Sequence, residues 1–436
     1  MRIQAHLDID VVAVETDAEV SVLVDLTAPH ARPAAHRQPQ PARTLQVVLD
    51  RSGSMSGDRI DGAITALLAL VDRLDPADNF GLVAFDDRVE LTVPAGPLTD
   101  KTTVRRAITR LTARGNTDLS AGYLRGLQEA RRVAGPAGAT LLLVSDGHAN
   151  AGITDPSALG SISADAHRRG LVTSTLGYGL GYDERLLSAI ARGGSGNELF
   201  AEEPDTATAL IAAEVTWLLG QTVQAASLLI RLSQHVRSMR VVNDLPVSAV
   251  SPTETVVELG GLYSGETRKL ILTFAVPAVA ALGLTSVATL EFTYLALPTL
   301  EQHTVTMPLH VNVVPGDQAA GRIPNPEVRT ETLYLQVQRA KRSASFNFGF
   351  GDVPAALADL SSARSALDEA LTVAPEPLRA TLAEESAALD YLTRQASHGS
   401  PARAAKYASM DAHYKTFKRG RVRPQETTPD IEPSED

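Results

Sequence analysis

Asp50, Ser52 and Ser54 stand two residues apart at the end of the apolar run Thr44-Leu45-Gln46-Val47-Val48-Leu49, so a carboxylate and two hydroxyls meet where a buried strand runs into a turn. A strand end holds its first polar residue rigidly, and Gly53 lets the backbone curl until both serine Oγ atoms can face one point. A half-cage of hard oxygens of this kind suits Mg²⁺, Mn²⁺ or Ca²⁺ rather than zinc. Two further segments extend it. Gly115-Asn116-Thr117-Asp118-Leu119-Ser120-Ala121-Gly122 is a polar turn opening onto a helical pattern, and Ala139-Thr140-Leu141-Leu142-Leu143-Val144-Ser145-Asp146-Gly147 is another apolar strand ending in a carboxylate. In a parallel α/β sheet the C-terminal strand ends share one rim, and ligands bind in the crevice there. Asp50 and Asp146 then sit on the same rim, with Thr117 entering from a loop between them. Of these five residues only the two aspartates carry charge to offset a divalent cation. Mg²⁺ prefers a near-octahedral shell at about 2.0–2.1 Å that usually retains waters, so an anionic oxygen from outside can join it.

In type, order and context, Asp50, Ser52, Ser54, Thr117 and Asp146 resemble the metal-ion-dependent adhesion site of the von Willebrand factor A family, in a bacterial multi-domain form. The match is DRSGSMSG, GNTDLSAG and LLLVSDG, within roughly residues 44–220. The resemblance implies that Ser52, Ser54 and Thr117 bind the metal directly in the liganded state, that Asp50 and Asp146 act largely through waters, and that a partner's Glu or Asp fills the open position. The implied ion is Mg²⁺, with Mn²⁺ and Ca²⁺ as the other candidates. It further implies that a change at the metal is linked to movement of the domain's final helix, here 204–219. The competing reading, polar residues that merely cap helices and turns, must account for five matched positions at once.

The elements that would position these residues alternate. Strands are expected at 45–50, 80–86, 140–145 and 171–176, and helices at 59–74, 119–133 and 183–191, a spacing that indicates a doubly wound, mostly parallel α/β sheet. Residues 204–219 close this unit as a helix with Leu210, Ile211, Val215, Leu218 and Leu219 on one stripe. Upstream, residues 1–27 read as two strands, separated from the unit by a Pro-, Ala- and His-rich linker over 29–42. Downstream, Ser227–Leu232, Thr255–Leu259, Lys269–Val276, Ser286–Tyr294 and Val305–Val314 read as an antiparallel β-sandwich. The N-terminal strands are expected to complete that sandwich, which makes the α/β unit an insertion. Four helices follow, over 328–343, 353–371, 376–395 and 401–418, with Phe346 to Asp352 as a break. A bundle packed on the sandwich accounts for them better than tetratricopeptide-like repeats, since no 34-residue self-similarity is found. The expected division is 1–43 N-terminal strands and linker, 44–220 metal-site domain, 221–320 sandwich, 321–423 helical region and 424–436 a disordered acidic tail.

At 436 residues, with 44% hydrophobic and 21% charged residues, the chain should form two or three globular domains. A formal charge of −11 argues against nucleic-acid binding, and zero cysteines exclude disulfides and thiolate chemistry. The start, Met1 to Asp10, lacks the apolar core of a signal peptide, and no apolar stretch reaches 18 residues, so the expected address is cytoplasmic.

Other motifs carry less. Gly177-Tyr178-Gly179-Leu180-Gly181 lacks the third glycine of a dinucleotide fingerprint and reads as a strand–helix bend. No P-loop motif and no H-x-x-x-H pair occurs. His148 reads as a solvated loop residue, Asp86, Asp87 and Asp118 as turn or capping groups, and Lys415, Lys418, Arg419, Arg421 and Arg423 as a solvated helix end or a partner for the acidic tail. The expected function is divalent-cation-dependent protein binding, as an adaptor or assembly factor, with no catalytic residue. The alternatives are a hydrolase using the same ion as a Lewis acid and a regulatory subunit of a separate AAA+ ATPase.

Overall fold

The computed structural model describes residues 1–31, 42–135, 138–147, 149–218 and 220–417. Its strands are β1 Arg2–Leu7, β2 Val11–Ala13, β3 Ala18–Thr27, β4 Thr44–Asp50, β5 Asn79–Phe85, β6 Val89–Pro97, β7 Ala139–Ser145, β8 Leu171–Tyr178, β9 Ser195–Ala201, β10 Gln221–Leu232, β11 Ser238–Val241, β12 Val247–Ser251, β13 Glu254–Tyr263, β14 Thr267–Val276, β15 Gly283–Ala296 and β16 Glu301–Val314. Its helices are α1 Asp58–Arg73, α2 Lys101–Ile108, α3 Leu119–Val133, α4 Pro156–Arg168, α5 Glu184–Gly193, α6 Pro204–Leu218, α7 Gly316–Ala320, α8 Pro326–Gly349, α9 Val353–Val373, α10 Glu376–His398 and α11 Pro401–Phe417.

The α/β unit is a six-stranded sheet in the order β6-β5-β4-β7-β8-β9, parallel except for β6. Every residue of β4 and β5 is buried, as expected of strands covered on both faces, which is why their sequences read as continuous apolar runs. One face packs on α1, α2 and α6 through Leu67, Ile108 and Ile211, the other on α3, α4 and α5 through Leu127, Leu159 and Ile190. Asp118, Asp155 and Asp183 cap α3, α4 and α5, each accepting a backbone N–H from the first turn.

The flanking strands form two antiparallel-dominated sheets, β1-β3-β14-β11 and β12-β13-β10-β15-β16-β2, with β2 parallel to β16. Their facing apolar residues, among them Val22, Val24, Leu228, Leu272 and Phe292, share one core. The α/β sheet is therefore inserted between β3 and β10 of a sandwich, followed by a helical region, in agreement with the expected fold class. The N-terminal segment holds three strands rather than two. Arg2–Leu7 pairs with β3, and its alternating polar residues Arg2, Gln4 and His6 are those of a sheet edge.

The helical region departs from expectation in two respects. Helix α8 continues through Phe346 to Gly349 before the turn, because Asn347 and Gly349 are tolerated in a last turn. The region also touches more than the sandwich. Leu335 and Val328 of α8 pack on Leu23 and Ile271 of the sandwich, whereas Tyr407 and Met410 of α11 join the core of the α/β unit. Arg403 forms a two-pronged pair with Glu202, and Lys406 donates to Glu184 Oε2 at 2.7 Å and to the Tyr182 carbonyl at 2.8 Å. Lys415 is not a solvated helix end. It pairs inside the bundle with Glu385 and Asp411, beside the fully buried Lys341. Lys418, Arg419, Arg421, Arg423, the tail, most of the Pro-rich linker and His148 lie outside the described residues. No helix among the described residues is long and apolar enough to cross a membrane.

Candidate metal centre

The rim of the α/β sheet collects the five oxygen-bearing residues. Strand β4 pairs in parallel with β5 and β7, in register Leu49 to Val144, so Asp50 and Asp146 emerge side by side at the carboxyl ends. After Asp50 the chain enters a 3₁₀ turn over Gly53–Met55, whose Met55 is buried as an anchor. Gly53 N–H donates to Gly115 O at 3.0 Å, which ties this turn to the loop carrying Thr117. Gly115 adopts φ +72°, where a Cβ would lie 2.5 Å from Asp87 Oδ1, so only glycine fits this crossing.

Helix α3 brings Thr117 in from the other side. Within it a Cβ on Gly122 would lie 2.5 Å from the Phe85 ring, and one on Gly126 would lie 2.2 Å from Val48 Cγ2. Two helical glycines cost about 1 kcal/mol each relative to alanine, but they let α3 sit directly on β4 and β5. The Thr117 loop is then pinned from both neighbours. Asp118 N–H donates to Asp86 O at 2.9 Å, and Asn150 N–H donates to Thr117 O at 3.0 Å.

The side chains converge. Ser52 Oγ is 3.0 Å from Ser54 Oγ, and Ser54 Oγ donates to Asp146 Oδ1 at 2.7 Å. A Cβ built on Gly147 would lie 3.4 Å from Thr117 Oγ1 and 3.5 Å from Ser54 Oγ, so these hydroxyls flank a small space left by the missing side chain. Asp50, Ser52, Thr117 and Asp146 are buried while Ser54 is exposed, which gives the cluster one open side. Asp50 accepts Ser52 N–H at 2.8 Å on Oδ1 and the Ser145 hydroxyl at 2.6 Å on Oδ2. Burial nevertheless raises its pKa to about 6, with the hydrogen bonds from Ser145 and Ser52 opposing that rise and the neighbouring Asp146 adding to it. Uncharged hydroxyls facing two buried carboxylates are the donor set of a hard divalent cation, and the fit is good.

Asp86 does not extend the acidic rim. Its Oδ2 accepts Arg51 Nε at 2.9 Å and Arg114 Nε at 3.0 Å, so its charge is spent structurally. Asp118 serves as the α3 cap. Two contributors escape a reading of the sequence. Ser145 supports Asp50 from inside β7. Arg59, in the first turn of α1, donates through Nη1 to Asp146 Oδ2 at 2.6 Å and to Ser54 O at 3.3 Å. A lone arginine on an amphipathic helix reads as solvated; its place in the first turn after the D-x-S-x-S segment was the available signal.

Residues 45–148 match the model of the von Willebrand factor type A domain, a span that contains all five residues. The chain carries a von Willebrand factor type A domain. An uncharacterized protein of Synechocystis sp. is 30% identical over 241 residues, covering 52% of this chain and 56% of that one. Inter-alpha-trypsin inhibitor heavy chain H1 of Mesocricetus auratus is 30% identical over 166 residues, 36% of this chain and 18% of its own. The chain thus spans about half the length, or less, of these curated relatives. Among solved structures, a von Willebrand factor type A protein from Catenulispora acidiphila aligns with 97% of both chains at a TM-score of 0.73 and 15% identity. The ArnB paralog VWA2 from Sulfolobus acidocaldarius aligns with 96% of this chain and 99% of its own at a TM-score of 0.63 and 15% identity. At such identities the likeness is one of fold, and it extends beyond the A domain to the sandwich and the helices.

Proposed function

We propose that this chain is a divalent-cation-dependent protein-binding module, an adaptor or assembly factor, whose A domain grips an acidic side chain of a partner. The observation that carries the proposal is the convergence of Ser52, Ser54, Thr117 and Asp146 on a space with one open side. A divalent cation held there, Mg²⁺ or Mn²⁺ first and Ca²⁺ third, supplies an electrophilic position for a carboxylate oxygen from outside. Ser52, Ser54 and Thr117 would hold the ion with neutral oxygens, leaving it electron-poor. Asp50 and Asp146 would offset its charge, their orientation fixed by Ser145, by the Ser52 amide and by Ser54. A-type domains typically mediate protein–protein contacts, which agrees with this reading.

The proposal assigns no catalytic residue. Calorimetry with Mn²⁺ tests it: the wild type should bind one ion, and S52A/S54A should lose most of that affinity with the fold kept. Equal affinity in the two proteins overturns the site. A pull-down from the native host should yield a partner that EDTA releases. Mn²⁺-dependent turnover of generic phosphate or acyl esters, lost in S52A/S54A, would instead favour the hydrolase. Recovery of an AAA+ ATPase in the pull-down would identify the module as that motor's regulatory subunit.

A further inference from the structure

Arg59 brings a positive charge into direct contact with the candidate metal centre. Its Nη1 lies 2.6 Å from Asp146 Oδ2 and 3.3 Å from Ser54 O, so the guanidinium binds one carboxylate and one backbone oxygen of the cluster. Three elements prepare this position. Gly57, at φ +79°, starts α1 so that Arg59 falls in the first turn facing the rim. The Tyr178 ring lies 5.9 Å below the guanidinium carbon, and Gly179, at φ +73°, leaves room for Nη2, which a Cβ there would approach to 2.8 Å. The glycine-rich stretch after β8, which fits no dinucleotide fingerprint, thereby gains a use as the berth of this arginine.

The electrostatics are asymmetric. The Asp146 side chain is wholly buried, whereas that of Arg59 is 37% exposed. A buried carboxylate without a counter-charge is costly, and an arginine with its head partly in water is displaced at modest cost. We infer that Arg59 is a resident counter-cation of the centre, holding Asp146 in the absence of a divalent ion and setting how tightly such an ion binds. The inference rests on the metal-binding reading above. In the metal-free protein Arg59 keeps Asp146 paired and aligned. When an ion arrives, two positive centres share one carboxylate, and their repulsion is subtracted from the affinity. The centre is then tuned to fill only when the ion is abundant or when an acidic partner adds negative charge at the open side.

Arg59→Gln removes the charge but keeps a donor for Asp146, and Arg59→Lys keeps the charge. Calorimetry with Mn²⁺ should give R59Q roughly 10-fold tighter binding than wild type, the order expected for removing a unit charge a few ångströms from a divalent ion. R59K should stay within about 2-fold of wild type. In EDTA the melting temperature of R59Q should lie below that of wild type, and Mn²⁺ should raise it more than it raises the wild type's. If R59Q binds no more tightly than wild type, or R59K tightens as much as R59Q, Arg59 is not a competing cation and the inference falls alone. If none of the three proteins binds Mn²⁺, the metal reading falls and takes this one with it.

Discussion

Gly147 follows Asp146 at the mouth of the cluster, and the space it leaves is bounded by Thr117 Oγ1 and Ser54 Oγ. Alanine would just fit there. The branched side chain of Gly147→Val would fill the space between these hydroxyls while leaving every oxygen-bearing residue of the cluster unsubstituted. We expect G147V to fold, as followed by circular dichroism and thermal melting, and to weaken Mn²⁺ binding by at least about 10-fold. Unchanged affinity would mean that the ion does not enter between these hydroxyls. At this scale most of the cluster was legible, because two strand ends and one turn each carried their oxygens in a spacing that chemistry restricts. Ser145 and Arg59 were not. A serine inside an apolar strand and an arginine on a helix have ordinary structural uses, and only the packing of β7, β8 and α1 at one rim gives them another.

Helix α11 and strand β9 meet over a buried carboxylate. Glu198 of β9 is fully enclosed, and among the described residues neither of its oxygens has a hydrogen-bond partner of normal geometry, although the Ser188 and Ser409 hydroxyls lie near enough to favour the charged form. Burial dominates and lifts its pKa from 4.5 to about 7. A raised acid binds more protons folded than unfolded, so its contribution is fully present below pH 4.5 and is lost as pH rises through about 7. Between pH 5 and 8 this group alone should cost the wild type roughly 2–3 kcal/mol, and Glu198→Gln should remove that slope. Urea unfolding of both proteins at the two pH values checks it; parallel pH dependences would place Glu198 in a wetter setting than its burial indicates. The sheet-forming elements were largely readable from apolar runs and capping aspartates. The docking of α11 was not, because its Ala404, Ala405 and Ala408 face the bundle, Met410 faces the A domain and Tyr407 touches both cores, and a helix with two covered faces has no single stripe to reveal its neighbour. Lys415 misled for the same reason, its partners Glu385 and Asp411 coming from α10 and from one turn back in α11.

At the scale of the whole molecule the A domain is tethered three times: by the chain entering near residue 42, by the chain leaving at α6, and by α11 through the Arg403–Glu202 and Lys406–Glu184 pairs. Glu214 of α6 adds a further restraint, accepting Asn197 Nδ2 at 2.6 and 2.8 Å and Ser174 Oγ at 2.8 Å from the sheet. Three ties resist a hinge between two bodies better than one. Small-angle scattering profiles of the wild type with and without Mn²⁺ should therefore superimpose, while R403E/K406E should show a larger radius of gyration. A metal-dependent change in the wild-type profile would mean that the ties yield, and that the displacement of the final helix implied by the family resemblance reaches the sandwich. The insertion of the A domain has one more consequence, which concerns the making of the protein rather than its use. Strand β3 pairs with β14 from Thr27 to Thr267, so one wall of the sandwich waits for about 240 residues of chain before it can close. At ribosomal rates of about 5–20 residues per second that is a delay on the order of tens of seconds. During it the A domain can complete its own sheet, while Val20, Val22, Val24 and Leu26 remain uncovered. The nascent chain thus passes through a stage with a finished centre and an unfinished frame, and that stage is where a chaperone would find it.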